Sequence, residues 1–161
     1  SEAQETGRFM MRRGTEIRPM RIDDLRDVFL LGRELLPSGG PAATRTWNEK
    51  NVSEALASGL ELSFVAVLKK KITGFIIVTP EHEETGEGTV SITWLCAPPI
   101  NGTREGLLDA LFREMAEKNY HCIRAELIAE NSELYELFKK FGFTESKHLL
   151  IMENFPPKQS R

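Results

Sequence analysis

From Ser63 onward the chain is dominated by β-branched and aromatic runs, SFVAVL, ITGFIIV and, further on, TVSITWLCA. Residues of these types fit a pleated, half-buried surface, so the segment reads as consecutive strands. Lys69, Lys70 and Lys71 join the first two runs as a hairpin, and EHEETGEG is a polar, acidic turn leading to the third. Pro98 and Pro99 end that third strand. Phe75 to Val78 is apolar at every position, which demands cover on both faces of a sheet.

The cover is supplied by segments with helical spacing. Ile22, Leu25, Phe29, Gly32 and Leu36 recur at steps of three and four, with Asp23 and Asp24 in the first turn. PSGGPAATRT is a loop, after which Val52, Leu56 and Leu60 resume the helical period from WNEK onward. Leu107, Leu111 and Met115 align on a third helix, and Leu134, Leu137, Phe138 and Phe141 on a fourth that Asn131 caps and Gly142 stops. EIRPM is a first strand, with Pro19 tolerable only near an edge. IRAELIA is a late strand, and the apolar segment FTESKHLLIMENF closes the chain. The order β-α-α-β-β-β-α-β-α-β describes an α+β domain with one mixed, mostly antiparallel sheet and helices on both faces.

A chain of 161 residues holds one such core. Residues 1–14 read as a disordered lead or expression remnant, with Met10 or Met11 as a candidate native start. Residues 15–156 read as one domain and 157–161 as a flexible tail. The 21 Lys and Arg against 24 Asp and Glu give a formal charge of −3, which argues against a nucleic-acid coat. No run approaches the roughly 20 apolar residues of a membrane span. Cys96 and Cys122 form no CxxC pair, which suits a reducing cytoplasm. His82, His121 and His148 lack metal-ligand spacing, so no metal site is expected.

Two stretches carry chemistry. In TVSITWLCAPPINGTREGLLDALF, Asn101, Gly102, Thr103, Arg104 and Gly106 lie where a strand turns into a helix. Free backbone N–H groups and the positive dipole end suit a phosphate there, although an Asn-Gly turn with a Thr cap also serves simply to start a helix. The second stretch is AENSELYELFKKFGF. Its Asn131, Leu134, Phe138 and Gly142-Phe143, together with the order of elements, resemble the last helix of the GNAT superfamily of N-acetyltransferases. The IRPM opening through Leu25, ITGF at residues 72–75 and TRTWNE at residues 44–49 are similar to that superfamily as well.

The resemblance implies acetyl-CoA as co-substrate and an amine acceptor, with a homodimer as an available assembly. The pyrophosphate would rest on the turn before the third helix, and the pantetheine along Trp94, Leu95, Cys96 and Ala97 like an added strand. The implied cofactor set is Leu95, Cys96, Ala97, Gly102, Thr103, Arg104, Gly106, Leu107, Leu108, Asn131 and Phe138. The superfamily's Gln/Arg-x-x-Gly-x-Gly/Ala turn is altered here. One register puts Gly106 first and Leu108 second; the other puts Gly102 first and Arg104 second. Either way a side chain stands where Gly or Ala normally lets the backbone approach the pyrophosphate.

The thiolate-protonating tyrosine of many members falls at Phe138, which leaves Tyr135, three residues earlier, as a candidate acid. Glu49, with Arg45 and Trp47, falls where the acceptor site is usually covered, and Trp47 serves equally as a packing residue. Glu81, Glu83, Glu84 and Glu87 offer a base near the strand mouths, or a solvated acidic loop. Cys96 reads as a small buried hydrophobe rather than a nucleophile. The function expected is acetyl transfer to a primary amine. Its alternative is a degenerate GNAT-fold module that binds acyl-CoA weakly or not at all.

Overall fold

The computed structural model describes residues 13–36, 46–81, 88–126, 132–145 and 151–156. Among them the elements run β1 (Glu16–Pro19), a 3-10 turn (Ile22–Asp24), α1 (Leu25–Leu35) and α2 (Glu49–Gly59), followed by a second 3-10 turn (Leu60–Leu62). Then come β2 (Phe64–Leu68), β3 (Lys71–Pro80), β4 (Thr89–Cys96), α3 (Thr103–Glu117) and β5 (Cys122–Glu126). The last are α4 (Ser132–Lys140), β6 (Thr144–Glu145) and β7 (Ile151–Asn154).

The seven strands form one sheet in the order β1-β2-β3-β4-β5-β7-β6. Every neighbouring pair is antiparallel except β4 and β5, which α3 connects in parallel. The central run behaves as its composition demands. Phe75, Ile76, Ile77 and Val78 are all fully buried, with Phe75 and Ile77 packed toward α1 and α2 and Ile76 and Val78 toward α3 and α4. Pro19 is tolerated because β1 is an edge strand.

The elements follow the sequence reading with two corrections. Ile22 is 72% exposed, because the 3-10 turn before α1 has a tighter period and rotates Ile22 off the helical face. Val28, fully buried, takes that place in the core beside Gly32 and Leu36. The closing segment also differs from one strand: β6 and β7 pair with each other, and β7 inserts beside β5. Gly142 ends α4 at φ +91°, a conformation that glycine adopts without strain. Of the expected lead and tail, residues 1–12 and 157–161 lie outside the described residues, as do His82, Glu83, Glu84, Glu87, Arg45, Asn131 and His148.

Candidate functional site

β4 is the strand on which the candidate site is built. On one edge it stays paired with β3 as far as Phe75↔Cys96. On the other it pairs with β5 only from Thr89↔Cys122 to Ile92↔Ala125. Glu126, the last described residue of β5, pairs with β7, and among the described residues, residues 93–96 have no partner on β5. A bulge falls at the same point: Ile77 pairs with Trp94 and Val78 with Ile92, leaving Thr93 as the extra residue. An extra residue bends its strand, and here it follows directly on the last described β4–β5 pair.

Beyond β4, Asn101 and Gly102 adopt φ +67° and +66°, two left-handed residues in succession that reverse the chain into α3. Gly102, not Thr103, is the N-cap residue, and no side chain caps this helix. The first intrahelical bond runs from the Gly106 N–H to the Gly102 carbonyl at 3.0 Å. The N–H groups of Gly102, Thr103, Arg104 and Glu105 therefore precede the helical ladder, at the positive end of a 15-residue helix. Such an arrangement is a ready seat for an anion.

This geometry bears differently on the residues of the two registers. Gly106 has its N–H committed to the helix, while Leu107 and Leu108 are fully buried in the core between α3 and the sheet. None of the three offers a group to a phosphate, and Leu108 obstructs nothing at the turn. The register with Gly102 first and Arg104 second matches the open N–H groups. Arg104 does not point freely to solvent. Its Nε donates to the Ala97 carbonyl at 2.9 Å, and its NH1 lies 3.5 Å from Glu133 Oε2 on α4. The side chain is 13% exposed and links the end of β4 to α4.

Gly74 is a site residue whose role the sequence did not disclose. A Cβ there would lie 2.8 Å from the Ala97 Cβ, 3.0 Å from the Cys96 carbonyl oxygen and 3.2 Å from Thr103 Cγ2. Glycine at this position lets the end of β4 and the first turn of α3 close onto β3. The available signal was Gly74 itself, a glycine inside a strand-forming run.

The remaining candidates are dispersed. Leu95 packs into the α3/α4 cluster and Cys96 into the α1/α2 cluster, so this stretch of β4 offers backbone rather than side chains. Burial pushes the Cys96 thiol up to about 12, with the Arg104 charge opposing weakly. Phe138 is fully buried, its ring 4.9 Å from that of Phe143. Tyr135 is turned toward β6, where a hydrogen bond to Glu145 raises its pKa.

Glu49 opens α2 next to the cap Asn48, whose side chain accepts from the Asn51 N–H at 2.8 Å. It borders two open cavities of about 670 Å³ each, and neither reaches β4, β5 or the α3 turn. Trp47 belongs to the core. Its indole covers Gly32, stacks on Phe29, meets Trp94 edge-on at 5.1 Å and donates from Nε1 to the Phe29 carbonyl at 3.2 Å. Among the described residues no group of three His, Cys, Asp or Glu side chains is placed to hold a metal ion, and no helix is long and apolar enough to cross a membrane.

No family model and no curated protein matches the chain. Solved structures do match in fold. Ard1 from Thermoplasma volcanium superposes with a TM-score of 0.75 at 17% identity, covering 89% of this chain and 99% of that one. Arabidopsis thaliana Naa50, solved with the bisubstrate analogue CoA-Ac-MVNAL, gives 0.69 at 22% identity, covering 88% and 98%. YncA of Salmonella typhimurium, a putative acetyltransferase solved with its cofactor acetyl-CoA, gives 0.72 at 17% identity, covering 92% and 98%. The chain has the GNAT fold, that of the GCN5-related N-acetyltransferases.

Proposed function

We propose that the chain is an acetyl-CoA-dependent N-acetyltransferase that moves an acetyl group to a primary amine of a small molecule or a protein. One observation carries this reading: among the described residues β4 pairs with β5 no further than Ile92, and the rest of the strand leads to the open N–H groups of Gly102 to Glu105. A ligand with an anionic end and an amide-bearing arm has a seat for each part. The first turn of α3 holds pyrophosphate through backbone N–H groups, and the free edge of β4 pairs with pantetheine amides as a further strand would. Two solved structures with this fold hold ligands of this kind.

Acetyl-CoA supplies the activated acyl group when bound. The chain's task is then to orient the thioester and to stabilise its developing oxyanion with a backbone N–H of β4. The amine nitrogen attacks the carbonyl carbon, the C–S bond breaks, the amine loses a proton and the thiolate gains one. Phe138, fully buried, has no proton to give, so water serves as the proton source for the thiolate.

A second reading has its own observation in favour. Arg104 stands at the second small position of the turn and occupies the Ala97 carbonyl, as expected of a GNAT-fold module that no longer takes acyl-CoA well. Titration calorimetry with acetyl-CoA and with CoA separates the two. The enzyme reading expects saturable binding, and the absence of binding at millimolar ligand selects the non-catalytic module.

A further inference from the structure

Among the described residues the β4–β5 pairing is four residues long and ends at Ile92↔Ala125, ahead of Thr93 and Glu126, which do not pair with each other. One register before that end, Ser91 lies opposite Arg124. Val90 and Ile92 on one strand, and Ile123 and Ala125 on the other, pack toward α3 and α4, so by strand alternation Ser91 and Arg124 project from the opposite face.

Glu81 reaches both. Its N–H donates to the Thr89 carbonyl at 2.9 Å, prolonging the β3–β4 ladder past the last residue of β3. Its carboxylate then spans β4: Oε1 accepts from the Ser91 hydroxyl, and Oε2 accepts from Arg124 NH1 at 2.7 Å. Side-chain exposures of 21% for Glu81 and 29% for Arg124 shelter the bond partly from water. A charge-assisted bond in such surroundings is stronger than a neutral one. Nearer the bulge, Thr79 Oγ1 and Thr93 Oγ1 lie 3.3 Å apart.

We propose that Glu81 is a positioning residue for the cleft: by tying Ser91 to Arg124 across β4 it sets the point at which the β4–β5 pairing ends. Without the tie, a short parallel pair frays toward Thr89, and the free edge of β4 loses its fixed length. This inference rests on the acetyl-CoA reading for its ligand.

The test uses the full chain carrying Glu81→Gln, which keeps an acceptor for Ser91 but removes the charge, and Arg124→Lys, which keeps the ion pair. Amide hydrogen exchange and CoA calorimetry are the readouts. The Cys122 N–H donates to the Gly88 carbonyl just ahead of β4, so by alternation the Arg124 N–H also faces β4. Glu81→Gln is expected to speed exchange at Arg124 by about tenfold or more while Leu111 is unchanged. CoA binding weakens about 3- to 10-fold, with melting lowered by less than about 4 °C. Arg124→Lys stays within about twofold of the unaltered chain in both readouts. Unchanged exchange in Glu81→Gln overturns the tie. Faster exchange with unchanged CoA affinity overturns the positioning role and leaves a brace of the sheet. Absence of CoA binding by the unaltered chain overturns the acetyl-CoA reading and the positioning role with it, while the exchange data still report separately on the tie.

Discussion

The Nε–H of Arg104 donates to the carbonyl oxygen of Ala97 at 2.9 Å, so the first turn of α3 is fastened to the end of β4 by this side chain. The same guanidinium lies 3.5 Å from an oxygen of Glu133, a carboxylate 69% exposed whose contribution is small. The bond to Ala97 is therefore the one that matters for the cleft.

Arg104→Gly frees the Ala97 carbonyl and clears the approach to the N–H groups. CoA is expected to bind about 3- to 10-fold more tightly, a gain of up to about 1.4 kcal/mol. Weaker binding would make Arg104 a phosphate ligand instead. Leu108→Gly acts elsewhere. It removes a fully buried side chain and lowers stability by about 2–5 kcal/mol, with no gain in affinity.

Gly74→Ala places a methyl group 2.8 Å from the Ala97 Cβ and 3.0 Å from the Cys96 carbonyl oxygen. The end of β4 has to move, and stability falls by about 1–3 kcal/mol as for other overpacked sites. Denaturant unfolding measures the loss, and calorimetry is expected to show weaker CoA binding in parallel. An unchanged midpoint would show that β4 yields freely at Ala97.

Arg18 grips Asp24 with two hydrogen bonds, of 2.7 and 2.8 Å, and the Arg21 N–H adds a third at 2.8 Å. The Arg18 bonds hold the Asp24 carboxyl below the usual carboxylate value, outweighing its burial. With a depressed folded pKa, the stabilisation is complete above the unfolded value and is lost as pH falls through the folded one. Asp24→Asn is expected to cost about 1–3 kcal/mol at pH 7 and progressively less below about pH 4. A cost that does not change with pH between 7 and 3 would contradict this account.

Burial raises the Cys96 thiol to about 12, and Cys122 is buried as well. For a raised thiol, the contribution to stability is whole below the unfolded value near 9 and is lost as pH climbs toward 12. Alkylation by iodoacetamide at pH 8 is therefore expected to require unfolding, with both thiols reacting together in denaturant. Rapid modification of Cys96 in the native protein would mean that the cleft exposes it.

Much of this architecture was legible because its determinants are local. Apolar runs at residues 63–68 and 72–78 mark strands, Leu107, Leu111 and Met115 mark a buried helix face, and Gly142 marks a helix end, each from its own side chain or backbone freedom. Ile22 misled because three residues of 3-10 turn shift the phase of the face without any local sign. Val28 escaped notice because the spacing was counted from Ile22.

The site was legible as a place but not as a geometry. Asn101-Gly102 announced a turn into a helix, but only the bond from the Gly106 N–H to the Gly102 carbonyl shows which N–H groups stay outside the helical ladder. Tyr135 was drawn toward the cleft by its spacing from Phe138, whereas its partner Glu145 lies on a strand formed ten residues later.

The sequence by itself determined which segments are strands and helices, which faces are buried and where an anion could meet a helix start, since periodicity and turn chemistry act over a few residues. Tertiary structure alone decided that β5 lies beside β4 from Thr89 to Ile92, that Glu81 spans β4 to reach Arg124, and that Arg104 closes on Ala97. Those contacts join residues from 7 to 43 positions apart, and nothing in either partner's local chemistry names the other.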